Sequence, residues 1–93
     1  MNYRDSATCI MLGCLIEGKP HHAAEICDKV KTEMIKLETD YKLTDIDKKI
    51  VLDIRTNLIR DVETKQFKSA KNKAERLHPQ VKRIFAEAQK VSV

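Results

Sequence analysis

Residues Cys9 to Cys27 read CIMLGCLIEGKPHHAAEIC. The stretch holds all three cysteines, two of the three histidines, both glycines and one of the two prolines. It can be read as a Cys/His metal site, as half of a DNA-reading motif, or as two buried helices and the corner between them. Cys9 and Cys14 lie five residues apart, which on a helix turns their side chains about 140° from each other, so an intact helix cannot bring both to one ion. Cys14, His21 or His22, and Cys27 could converge around the corner, but no CxxC or HxxxH pair anchors such a site. A nucleophilic cysteine would need an activating base at a defined position, and these histidines adjoin a turn without further support. The expectation is therefore no metal, no cofactor, no catalytic residue and no enzyme. The stretch becomes a helix, a Gly18 to Pro20 corner and the start of a second helix.

The rest of the chain extends that pattern. Ninety-three residues without a Pro-, Gly- or Ser-rich linker make one domain, 1–93. Two glycines and two prolines leave few sites for tight hairpins, whose turns need positive φ. An all-α fold follows. Charged residues are 34% and apolar residues 42%, the balance of a foldable chain rather than a disordered one. No apolar run approaches the roughly 18–20 residues of a membrane span. The longest, Cys9 to Ile16, lacks the basic start of a signal peptide, so a cytoplasmic location is expected. Three cysteines cannot all pair within one chain, and their apolar neighbours point to reduced, buried thiols.

Four helices are predicted. The first runs from about Ser6 to Ile16, capped by Asp5 or Ser6, and its apolar residues on nearly all sides place it at the centre of the core. The second starts near Pro20 and runs to about Tyr41, with Ala23, Cys27, Val30, Met34, Leu37 and Tyr41 in one stripe. Ile26 and Ile35 lie outside that stripe. The third begins at LTDID, where Thr44 and Asp47 form a variant capping box, and reaches about Gln66. Ile46, Ile50, Val51, Ile54, Leu58 and Val62 form its buried face, with Ile59 beside it, and Asp61 to Lys65 is a favourable i,i+4 pair. The fourth carries Phe67, Ala70, Ala74, Leu77, Val81, Ile84, Ala88 and Val91 at alternating three and four spacings. Its stripe keeps phase across LHPQV, so Pro79 should kink or briefly interrupt it, giving a compact bundle of four helices or five if it breaks.

Charge is the most informative feature. Residues 1–63 hold 10 basic and 12 acidic side chains, whereas residues 64–93 hold 8 basic and 2 acidic. The entire surplus of +4 thus belongs to the last third. Lys65, Lys68, Lys71, Lys73, Arg76, Lys82, Arg83 and Lys90 surround its apolar stripe, with Lys68, Arg76, Lys82, Arg83 and Lys90 roughly opposite it. One side can pack while the other meets an anion, either nucleic-acid phosphates or an acidic protein surface. The plainer reading is a solvated helix face, with lysines near the C-terminus complementing the helix dipole. Only Tyr3, Tyr41, Phe67 and Phe85 are aromatic, too few to build stacking platforms for single strands.

Residues Met11 to Met34, MLGCLIEGKPHHAAEICDKVKTEM, resemble the opening of PadR-type winged-helix regulators through Leu12, Leu15, Glu17, Gly18, Pro20, His21, Glu25 and Ile26. The likeness covers about a quarter of the chain. A one-residue shift lies between Gly18 and Glu25, and neither a Gly-rich wing hairpin nor a Leu-Tyr recognition signature follows. The resemblance implies a helix-turn-helix-like core at most. The third helix would then be the reader, with Lys48, Lys49, Arg55, Asn57 and Arg60 as contacts. Asp45, Asp47, Asp53 and Asp61 share that helix and would repel phosphates, which moves the expected contact to the fourth.

Two functions follow as expectations. One is a small helical regulator, able to act as a homodimer, that contacts nucleic acid through its basic C-terminal helix, with a helix-turn-helix as a second contact. The other is a helical adaptor or inhibitor, of the kind phages and other mobile elements encode, docking through Ile35, Ile59, Phe85, Val91 and Val93, which a core this small would leave uncovered. Heptad-like stripes on the second and fourth helices would also suit a structural oligomer.

Overall fold

The computed structural model describes residues 2–90, the last two by backbone alone. After a 3-10 turn (Tyr3–Asp5), α1 (Ala7–Ile16) starts where expected: the Ser6 hydroxyl accepts from the Cys9 amide. It ends in a left-handed Gly18 (φ 79°), with Lys19 N–H bonded back to Cys14 C=O at 2.7 Å and Gly18 N–H to Leu15 C=O at 3.4 Å. That double closure is the Schellman turn, which Gly adopts without a Cβ penalty. α1 packs most extensively against α6 (Phe67–Glu87), which contributes the fully buried Ala70 and Ala74 to the core that also holds Met11, Leu12 and Leu15 of α1. It is central on that side only, since Ile10 on its opposite face is half exposed.

The single second helix of the sequence reading is two helices, α2 (Pro20–Glu25) and α3 (Cys27–Asp40). Ile26 sits between them at φ −108°, ψ 9°, and its N–H turns back to Ala23 rather than to the residue four before it. The bend lets Ile26, off the main stripe, pack against the core. A one-residue joint leaves the stripe in phase, so Ala23, Cys27, Val30, Met34 and Leu37 are all buried as expected.

The third rod is α4 (Asp45–Asp53), a π-helical turn over Ile54–Leu58, and α5 (Ile59–Glu63). Thr44 caps it, accepting from the Asp47 amide at 3.1 Å. It stops three residues short of Gln66 in a second Schellman turn, with Gln66 N–H to Asp61 C=O at 2.7 Å and Lys65 at φ 62°. The π turn slips the side-chain phase so that Leu58 and Ile59 both face the core. Ile46, expected to be buried, is 71% exposed instead, because in the first turn of α4 it is Asp47 that faces inward.

α6 runs unbroken through Pro79. Pro79 has no N–H for the Glu75 carbonyl, but Glu75 and Pro79 both lie on the exposed side, where that carbonyl is open to solvent. The bundle therefore has its fifth rod from the joint at Ile26, not from Pro79. An antiparallel two-residue bridge, β1 (Tyr41–Lys42) with β2 (Gln89–Lys90), ties the segment just after α6 to the α3–α4 connection. Among the described residues, no helix is long and apolar enough to cross a membrane.

Candidate nucleic-acid interface

α6 owes its position to alternating apolar residues: Ala70, Ala74, Leu77, Val81, Ile84 and Phe85 are buried and hold it against α1 and the α4–α5 rod. The rod runs antiparallel to α6, and three ion pairs cross between them. Asp61 meets Lys73 at 2.7 Å, Asp53 meets Arg76 at 3.6 Å, and Asp47 meets Arg83 at 2.7 Å. Three of the four aspartates expected to repel phosphates from the third helix thus face the last one instead, while Asp45 stays exposed. Asp47 and Asp61 are both buried, which an unpaired carboxylate would not tolerate. Burial pushes the Asp61 carboxyl up, but hydrogen bonds from Lys73 and Ser69 outweigh it and hold the group below the usual carboxylate range. The hydrogen bond that Arg83 donates to Asp47 raises the guanidinium above its ordinary pKa. Asp61 does not form the expected pair with Lys65, because the left-handed turn at Lys65 redirects that residue.

Three of the eight basic residues are therefore paired with aspartates of the neighbouring rod. Lys65, Lys68, Lys71 and Lys82 are exposed and have no acidic group within 4.0 Å among the described side chains. Arg76 remains 61% exposed despite its pair. Lys68, Ser69, Asn72, Lys73 and Arg76, with Gln66, line a shallow open depression along the first half of α6. The Lys90 side chain lies outside the described residues.

The residues expected on a recognition helix are divided. Lys48, Lys49 and Arg60 are exposed, whereas Arg55 is bound to Glu38 at 3.3 Å and half withdrawn. Asn57 donates to Asp53 at 2.6 Å and accepts from Arg60 at 3.2 Å, so its amide is occupied within its own helix.

The expected protein-docking residues need correction. Ile59 is 1% exposed and Phe85 7%, so neither can present a surface. Phase slip at the π turn buries the first, and the edge of the Tyr3 ring, 5.2 Å away between centroids, covers the second. Ile35 is exposed as expected, while Val91 and Val93 lie outside the described residues. The other exposed large apolar side chains are Ile10, Leu52 and Ile46, the last of which periodicity had placed on a buried face.

The opening stretch has a structural role. Cys27 is buried, with its thiol donating to the Ala23 carbonyl and its pKa pushed up by burial, while Cys9 and Cys14 are only half-buried. His21 lies edge-on to Phe67. Glu33 on α3, unremarked in the sequence, binds the start of α1: its carboxylate accepts from the amides of Ala7 and Thr8 at 2.7 and 2.9 Å and from the Thr8 hydroxyl at 2.8 Å. A Glu on the polar side of an apolar stripe gives no hint of such a partner.

Comparison with protein-family models, with curated proteins and with solved structures finds no match for this chain.

Proposed function

We propose that this chain is a non-enzymatic helical regulator that binds duplex nucleic acid through the outward face of α6. The observation that carries the reading is the division of the basic residues. Lys73, Arg76 and Arg83 are matched by aspartates of the neighbouring rod, and Lys65, Lys68, Lys71 and Lys82 are left over, facing water. Interhelical pairing accounts for the first set, and a solvated helix does not require the second to be so free of acids. Glu75 is the one carboxylate set among them on the outward face. From Lys68 to Lys82 the row extends about 21 Å at 1.5 Å per residue, enough to follow several phosphates of a duplex backbone. Contacts of this kind position a protein without reading sequence. A duplex fits better than a single strand, because Tyr3 and Phe85 are buried and Tyr41 and Phe67 half-buried, leaving no stacking platform.

The helix-turn-helix suggested by the PadR resemblance would add base contacts through Lys48, Lys49 and Arg60, the members of the third rod that remain exposed. Fluorescence anisotropy with a labelled random-sequence duplex tests the proposal. Binding at about 50 mM salt that weakens at least tenfold by about 200 mM is expected, and no binding at low salt, or affinity indifferent to salt, overturns it. The adaptor reading is favoured by a separate observation, the exposure of Ile10, Ile35, Ile46 and Leu52.

A further inference from the structure

The three ion pairs between α6 and the neighbouring rod are not equal. Asp61 and Asp47 are buried, and each accepts a hydrogen bond at 2.7 Å, from Lys73 and from Arg83. A carboxylate so withdrawn from water is stranded if its partner leaves. Asp53 is different. Its side chain is 29% exposed, Arg76 Nη2 stands 3.6 Å from its Oδ2, outside hydrogen-bond range, and Asn57 donates to its Oδ1 at 2.6 Å. Without Arg76 this carboxylate would keep Asn57 and gain water, with Lys49 lining the same notch.

The cation side is uneven in the same way. Arg76, Asn72 and Lys68 are exposed and lie at i, i+4 and i+8 along one edge of α6, in steps of about 6 Å. All three line the shallow depression there, whose side chains are basic or neutral. Ser69 and Lys73, which also line it, are committed to Asp61. Glu75, next to Arg76 in the chain, is turned about 100° around the helix from it. We propose that Arg76 is a further phosphate contact held in reserve by Asp53. When a duplex backbone lies along α6, the guanidinium leaves its loose pair and donates to a phosphodiester oxygen beside Lys68, with the Asn72 amide donating between them. The forked guanidinium matches phosphate oxygens in two parallel bonds, whereas Asp53 at 3.6 Å engages it in none. The inference rests on the duplex reading and adds an internal competitor to it: Asp53 weakens binding by whatever the broken pair was worth. Lys73 and Arg83 stay with their aspartates.

Fluorescence anisotropy with the labelled duplex, repeated across a range of salt, compares the wild type with Arg76→Gln, Asp53→Asn and the double variant, each checked for an unchanged melt. Arg76→Gln should lower the slope of log affinity against log salt by about 0.9 in magnitude, one phosphate contact. Asp53→Asn should tighten binding about two- to fivefold at unchanged slope, the equivalent of one exposed ion pair. In the Arg76→Gln background the same substitution should change affinity by less than about 1.5-fold, since there is no pair left to break. A wild type that does not bind the duplex overturns this inference together with the duplex reading. Binding whose slope is the same with and without Arg76 overturns the inference alone. So does an Asp53→Asn variant that gains nothing, or one that gains as much without Arg76 as with it, the mark of a general change in charge.

Discussion

Asp61→Ala and Lys73→Ala, made singly and together, weigh the innermost link between α5 and α6. The carboxylate and ammonium are 2.7 Å apart, with side chains 11% and 27% exposed, and Ser69 donates a second bond to the same carboxylate oxygen. Breaking a fully buried pair costs about 3–5 kcal/mol, because the surviving charge is stranded. Here the survivor can partly rehydrate, so about 2 kcal/mol is expected for Asp61→Ala and about 1–2 kcal/mol for Lys73→Ala, where Ser69 still serves the carboxylate. The double variant strands neither charge and should be more stable than the sum of the single losses by about 1 kcal/mol. Urea unfolding followed by helical circular dichroism measures all three, and the corresponding melting temperatures fall by about 4–8 °C per kcal/mol for a chain of this size. The pair also sets a pH signature. Asp61 ionises more readily folded than unfolded, so its contribution is present above the unfolded carboxylate value of about 4 and is lost as pH falls through that region and below. Asp61→Asn should therefore have a shallower loss of stability on acidification. Strict additivity of the two alanine substitutions, or an unchanged acid limb, would refute the claim that the pair is a coupled, partly buried link.

Two further predictions concern single residues. Glu33→Ala removes three hydrogen bonds at the start of α1 and should cost about 2 kcal/mol, most of it recovered by Glu33→Gln only if an amide can replace a charged acceptor at helix amides, which the dipole argues against; urea unfolding of both variants reads the difference. Lys65→Gly relieves a left-handed residue and should stabilise the fold by about 0.5–1 kcal/mol, seen as a higher urea midpoint at unchanged slope.

Much of this architecture is legible in the sequence because local signals and packing agree. Ser6, Gly18 and Thr44 do what their positions suggest, and the stripes from Ala23 to Leu37 and from Ala70 to Ile84 are buried residue for residue. What escapes is whatever depends on a single residue's departure from ideal helix. Nothing in EICDK announces that Ile26 will turn its N–H to Ala23, nor does DIRTNLI announce a π turn, yet the latter decides that Ile59 is buried. Polar partners escape for a related reason. Periodicity sorts residues into apolar and polar faces, and it leaves Asp47, Asp61, Lys73 and Arg83 on the polar side although all four meet across a helix interface. The charge asymmetry was visible as a total, whereas its division into matched and unmatched residues needed the antiparallel placement of α6 against the α4–α5 rod.

That division is open to one direct measurement, the slope of log affinity for a duplex against log salt. Replacing Lys68, Lys71 and Lys82 together by Gln should lower its magnitude by about 2.7, three phosphate contacts at about 0.9 each, with little change in melting temperature. Replacing Arg83 alone by Gln should lower stability and leave the slope within about half a contact of the wild type, because that guanidinium is engaged by Asp47. A triple variant whose slope equals the wild type's would contradict the assignment of the unmatched lysines as the phosphate-binding face.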